Sequence, residues 1–360
     1  MEVLGEDYFE GILNDLCQAK KFIFMEYFII EEGEMWGEIL KILVEKAHSG
    51  VQIRIIYDDI GCFQTLSWEY RHHLEELHTN IRCVVFNRVK LFDDVVVNNR
   101  DHRKILVIDG KVGFTGGINI ADEYINKKVK YGHWKDIGIR LEGSGVWGLT
   151  CLFLEMWNAN NDEKLSPLEY KYNSHDIICK GFVQPFGDNP LAEIEVGQNV
   201  YIDMINQANE SIYIMTPYLI LDEMTQNAII LATTRGVQVN ILTPGMPDKK
   251  TVYRITRSNY ISLIKAGVRI FEYTAGFIHA KSIVVDQQVA MIGTINLDYR
   301  SLYLNFECGV YMYGTQAVDD LYVDTIYTIL KSKQIRLADL ELNGIGLVTD
   351  TILRVFAPLM

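Results

Sequence analysis

His102-Arg103-Lys104, followed by Asp109 and then by Gly116-Gly117-Ile118-Asn119, recurs as His279-Ala280-Lys281, Asp286 and Gly293-Thr294-Ile295-Asn296. His102, Lys104, Asp109, Gly116 and Asn119 are each separated from their counterparts by the same 177 residues. A lone His-x-Lys on a strand is ordinarily structural, but a set matched twice at one spacing does not arise by chance. Residues i and i+2 of a strand face the same way, so each imidazole stands beside an ammonium group. If the two copies converge, one cleft holds two imidazoles, two ammonium groups and two carboxamides. That set suits a phosphodiester. Lys104, Lys281, Asn119 and Asn296 can donate to the non-bridging oxygens, whose charge grows on attack. One neutral histidine can attack phosphorus while the other, protonated, donates to the leaving oxygen, and the roles then reverse. An ordinary imidazole pKa of about 6.5 keeps both forms within reach. The scheme needs neither a metal ion nor an organic cofactor.

Each histidine also needs orienting through its second nitrogen, normally by a carboxylate. The candidates are Asp136 in His133-Trp134-Lys135-Asp136 and Glu307 in Asn305-Phe306-Glu307-Cys308. Asp109 and Asp286 are counted with the catalytic set as members of the repeated motif. They precede Gly110 and Gln287 at strand ends, however, so a turn or ion-pair role is expected of them rather than chemistry. Ser301 and Thr294 could touch phosphate, although a capping or turn hydroxyl explains them equally well. His72, His73 and His78 lie on a charged helical stretch, and His48 and His133 have no counterpart in the repeat. Lys127-Lys128-Val129-Lys130 reads as a solvated basic loop.

The elements that must position these residues are themselves duplicated. Ala19-Lys20-Lys21-Phe22-Ile23-Phe24 parallels Ala208-Asn209-Glu210-Ser211-Ile212-Tyr213, each closing a helical pattern (Tyr8 to Cys17, Val200 to Gln207) and opening an apolar strand. Ala47 to Ile55 parallels Thr233 to Ile241, with Gly50 and Gly236 where a helix C-cap glycine belongs. Ile105 to Ile108 and Ser282 to Val285 supply buried strands behind the motifs. Strand, helix and strand in both halves imply α/β layers around a largely central sheet. The period is too long for a solenoid and reads as duplication of a whole domain, 1–165 and 166–360, joined in the polar stretch Asn158 to Asp176.

A chain of 360 residues with a formal charge of −13 is long enough for two cores and argues against a general polyanion-binding surface. No nucleic-acid partner is expected. The six cysteines are scattered singly, without zinc-site spacing, and read as reduced thiols. No apolar run is long enough to span a membrane: Phe22 to Ile30 is short and broken by Glu26. Leu347, Val348, Ile352, Val355, Phe356 and Leu359 recur at near-helical spacing in the tail, which is expected to pack on the core.

Taken together, His-x-Lys-x4-Asp with a glycine-rich turn and an asparagine resembles the phospholipase D superfamily, over nearly the whole chain. Thr216-Pro217-Tyr218, Gly276 to Lys281, Gly293 to Ser301, Leu304 to Glu307, Tyr57 to Gly61 and Val183-Gln184-Pro185 are similar to bacterial cardiolipin synthases in particular. The resemblance implies the phospholipase D fold, two duplicated α/β/α sandwich domains related by a pseudo-twofold axis. It implies transfer of a phosphatidyl group from one phosphatidylglycerol to another through a phosphohistidine, with His102 the nucleophile and His279 the acid. It also implies a protein at the bacterial cell membrane, cytoplasm-facing or peripheral, and it leaves the oligomeric state open. Members usually begin with two membrane-spanning helices, so a chain starting at the first domain is expected to be truncated or a short form. The motifs are shared with phosphodiester hydrolases and nucleases of the same fold. A catalytically dead scaffold would be expected to lose a histidine or lysine from one motif, and neither is lost.

Overall fold

The computed structural model describes residues 5–88, 98–172 and 180–340. The amphipathic tail, Cys179 and the end of the joining stretch lie outside the described residues. The first half builds a six-stranded sheet in the spatial order Ile81–Phe86, Gln52–Asp58, Phe22–Tyr27, Lys104–Ile108, Val112–Gly116 and Gly138–Glu142. The first three strands are parallel and the rest antiparallel. The second half repeats that order and polarity with Arg269–Tyr273, Gln238–Pro244, Ser211–Met215, Ser282–Val285, Val289–Gly293 and Asn305–Tyr313. Ser332–Ile335 extends one edge of this second sheet, and Phe182–Asp188 pairs antiparallel with Asn305–Tyr313. The fold is thus α/β and duplicated, as expected.

Parallel neighbours need a crossover, and helices Glu34–His48 and Glu223–Thr234 supply it in the two halves. Both are followed by glycine in the left-handed region, Gly50 at φ +91° and Gly236 at φ +93°. A Cβ added at either would meet nothing within 4 Å, so the backbone angle, not space, selects glycine there. Phe22–Tyr27 and Ser211–Met215 are buried along their whole length, as strands covered on both faces must be. Each half has its own core, around Tyr8, Ile12 and Trp36 in the first and Tyr201, Ile229 and Leu263 in the second. A further core belongs to both: Phe24, Val107, Phe153 and Trp157 join Met215, Val284, Val310 and Leu321 in one apolar cluster. Burying each such side chain contributes roughly 1.5–3 kcal/mol, so the halves are held in fixed register by continuous packing.

Asp109 and Asp286 sit at the far ends of the motif strands, at φ +54° and +51°. Asp109 accepts hydrogen bonds from the backbone N–H groups of Lys20, Lys21 and Phe22 at 2.7–2.9 Å. Asp286 accepts from Asn209, Glu210 and Ser211, all at 2.8 Å. The repeated aspartates therefore anchor the entry to each half's central strand and are not placed with the histidines. Their inclusion in a catalytic set is corrected on this geometry. Replacing Asp286 by alanine removes a three-fold acceptor and strains a left-handed residue, and should destabilise the protein by about 1–3 kcal/mol. An unchanged urea midpoint for Asp286→Ala would contradict this role.

Candidate active site

Each motif is entered through a short strand laid against the other half. Arg100–Asp101 pairs in parallel with Asn305 and Phe306, and the His102 N–H donates to the Phe306 carbonyl at 2.9 Å. Gly276–Ile278 pairs in parallel with His133–Lys135, and the His279 N–H donates to the Lys135 carbonyl at 2.7 Å. The residue after each partner segment is a carboxylate, so the pairing register delivers Glu307 to His102 and Asp136 to His279. His102 Nδ1 lies 2.9 and 3.0 Å from the Glu307 oxygens, and His279 Nδ1 lies 2.7 Å from Asp136 Oδ2. An Nδ1–H tautomer satisfies both contacts and leaves each Nε2 bare, an assignment that rests on the hydrogen-bond network.

The turn after each motif strand serves its carboxylate. A Cβ on Gly117 would fall 2.1 Å from Asp136 Oδ1, so only glycine leaves room for this carboxyl. At the equivalent position Thr294 donates its hydroxyl to Glu307. Ser301 donates its backbone N–H to Asp298 Oδ1 at 2.8 Å, a helix cap. The hydroxyl of Thr294 is thus spent on Glu307, as the backbone of Ser301 is on Asp298.

His102 and His279 are each 8% exposed, Lys104 and Lys281 fully buried. Lys104 Nζ donates to the His102 carbonyl at 2.5 Å, and Lys281 Nζ contacts both the His279 carbonyl and Nδ1, the latter at 2.8 Å. Burial pushes the two ammonium groups down to about 8 and about 7, Asp136 and Glu307 opposing it. Burial likewise holds His102 well below its ordinary range and, helped by the Lys281 charge, His279 down at about 4. The two carboxyls differ. Burial raises Glu307 to about 7, whereas Asp136 is kept low because the charges of His279 and Lys281 and the hydrogen bonds from His279 and the Ile137 N–H outweigh its burial.

Both histidines and both asparagines line one cavity of about 480 Å³. Asn119 Oδ1 accepts from the Ile29 N–H at 3.1 Å and its Nδ2 donates to the Tyr124 hydroxyl at 2.7 Å, while Asn296 Oδ1 has no partner among the described residues. Sequence reasoning missed the crossing of the carboxylates between halves and an aromatic wall around His279. Tyr124, Trp134 and Phe277 stand 5.4, 5.4 and 6.0 Å from its ring. Phe277 two residues before His279 and Trp134 two residues before Asp136 were the available signal for the wall, and nothing in the sequence marked the crossing. His133 bonds the Tyr273 hydroxyl at 3.1 Å, His72 and His73 are exposed, and Lys127, Lys128 and Lys130 pair with Glu34, Glu31 and Glu123. No helix among the described residues is long and apolar enough to cross a membrane.

A fold made of two such sheets, with the histidine of one His-x-Lys from each in a shared cavity, defines a phospholipase D-like protein. The chain matches the family described as "Cardiolipin synthase, PLD-like domain" over residues 12–131 and 201–324, and it belongs to that family. It is 46% identical over 358 residues to an uncharacterized protein of Streptococcus mutans, covering 99% of this chain and 77% of that one. It is 38% identical over 337 residues to a cardiolipin synthase of Alkalihalophilus pseudofirmus (92% and 66% covered) and 36% identical over 363 residues to one of Geobacillus kaustophilus (99% and 71%). Among solved structures, phosphatidylserine synthase of Haemophilus influenzae superposes with a TM-score of 0.71 at 17% identity, covering 100% of this chain and 92% of that one. That likeness concerns the fold.

The lowered lysines make anion binding pH-dependent. Dimethyl phosphate keeps one charge throughout this range, so its affinity reports the protein alone. Above their folded values of about 7 and about 8 the lysines lose their protons, while Glu307 gains charge above about 7. All three changes weaken binding as pH rises. Affinity should fall by about tenfold per pH unit for each proton lost between pH 7 and 9. A constant affinity from pH 6 to 9 in calorimetric titration would show that the ammonium groups do not meet the anion.

Proposed function

We propose that the protein is a phosphatidyltransferase that makes cardiolipin from two phosphatidylglycerol molecules and releases glycerol. The observation that carries the reading is the pair of histidines from different halves, each oriented by the other half's carboxylate, in one cavity with the motif asparagines. His102, neutral, attacks phosphorus through Nε2 and the bond to the glycerol oxygen breaks. His279, protonated once the anion is bound beside it, gives its proton to that oxygen. The hydroxyl of the second lipid then loses its proton to His279 and attacks phosphorus as the His102–phosphorus bond breaks. Lys104, Lys281, Asn119 and Asn296 would hold the non-bridging oxygens.

The order of the histidines rests on their carboxylates. Asp136 is held in its charged form beside His279, which favours an imidazolium there, whereas Glu307 titrates near neutrality. Nothing in the scheme excludes water as acceptor except positioning and dryness, and the aromatic wall beside His279 supplies both. The phospholipid substrate, the site at a membrane surface and the division of the chain near residues 165 and 166 belong to the same proposal.

The test is incubation with phosphatidylglycerol vesicles followed by lipid analysis. Cardiolipin should accumulate without ATP, since one phosphodiester is exchanged for another, and added glycerol should reverse it. His102→Ala and His279→Ala should each lower the rate about 100- to 10,000-fold, with the double variant scarcely worse. Phosphatidic acid as main product at every glycerol level would make the protein a hydrolase. Two half-active single variants would refute a shared site.

A further inference from the structure

The repeat makes the two walls of the cavity equivalent in position, but the residues at the matching places differ. Arg100 and Phe277 each stand two residues before their histidine, and Glu123 and Arg300 each stand four residues after their motif asparagine. The wall around His279 is thereby aromatic, with Phe277 and Tyr124 against the ring and the Glu123 carboxylate paired with Lys130 at 2.8 Å. The wall around His102 carries two guanidinium groups at the same places, and the Arg300 charge acts on His102 itself.

These arginines are only partly committed. Arg100, 3% exposed, is fixed by Asp58 at 2.9 Å and by the Phe86 and Asn87 carbonyls, yet its Nη1 has no partner among the described residues. Arg300 donates to the Asn98 carbonyl at 3.0 Å, and the adjacent carboxyl, Asp298, is taken up as the cap of the Ser301 N–H. A buried donor without a partner is costly and is normally met by a ligand or water. Two planar forks on one wall fit a phosphodiester.

We infer that Arg100 and Arg300 form a second anion subsite, which binds the phosphodiester of the acceptor lipid while that lipid's glycerol hydroxyl enters the reacting centre. The identity of this ligand rests on the phosphatidyl-transfer reading. The subsite selects acceptors: a phosphate one glycerol bridge away from the attacking hydroxyl is held by the arginines, whereas water and free glycerol have nothing to offer them. The opposite wall has Glu123, already paired with Lys130 at 2.8 Å, where Arg300 stands, and it offers no guanidinium fork there, so the pseudo-symmetric cavity acquires a direction.

Arg300→Gln is the informative variant, because Arg100 also anchors Asp58 and its loss could unfold the loop. The phosphoenzyme formed from phosphatidylglycerol is offered glycerol and glycerophosphoglycerol, the deacylated lipid, in competition. Wild type should favour glycerophosphoglycerol by at least about tenfold, Arg300→Gln should erase most of that preference, and Arg300→Lys should retain part of it. An equal loss with both acceptors, or no preference in wild type, overturns the subsite. If water is the only acceptor used, the transfer reading fails, and the subsite is judged separately by inhibition of bis(4-nitrophenyl) phosphate hydrolysis. Arg300→Gln should then raise the inhibition constant of glycerophosphoglycerol about tenfold more than that of inorganic phosphate. Equal changes would overturn it there too.

Discussion

The site depends on one interaction made twice, an imidazole of one half hydrogen-bonded to a carboxylate of the other. Neither half completes a histidine by itself. A buried carboxylate without a partner is strongly unfavourable, so separating the halves would expose or strand Glu307 and Asp136 as well as the lysines beside them. The crossing also explains the short strands Arg100–Asp101 and Gly276–Ile278. They carry the backbone across the boundary, and their pairing register decides which residue faces Nδ1. The shared apolar core then has a definite task, which is to keep two sheets in a register fine enough for contacts of 2.7–3.0 Å.

The twofold architecture carries unequal chemistry. Gly117 clears space for a short carboxylate, whereas Thr294 supports a longer one from the side. The pairs that result hold protons differently, Asp136 charged and Glu307 near neutral titration. Behind His102 lies a further buried cluster of Glu26, Asp101 and Arg103. Arg103 donates to the Glu307 and Asp188 carbonyls at 3.2 Å each, tying the motif strand to two strands of the second sheet. At the matching positions the second half has Met215, Ile278 and Ala280. A duplicated fold thus needs only a few substitutions to give its two histidines different surroundings.

Much of this was legible in the sequence, and for physical reasons. Gly50 and Gly236 announced helix ends because few other residues tolerate their backbone angle. The motif strands were legible because burial on both faces demands continuous apolar runs. Asp109 and Asp286 could be read as turn residues from Gly110 and Gln287 beside them, and their six backbone contacts bear that out. The partner of each carboxylate was not legible. Asp136 and Glu307 come after their own motifs in sequence, and only the packing of the halves decides that each serves the other's histidine. The unlike walls were hidden too, since Glu123 and Arg300 lie outside the motif and acquire meaning only when the cavity is closed.

The crossed pairing is tested most directly by ¹⁵N NMR of the imidazoles in the free protein at neutral pH, with each histidine assigned by substitution. Both should show a protonated Nδ1 and a bare Nε2. Asp136→Asn should move the signals of His279 and leave those of His102 in place, while Glu307→Gln should do the reverse. Movement of His102 in Asp136→Asn with His279 unchanged would mean that each half orients its own histidine, and the account of a single interlocked site would be wrong.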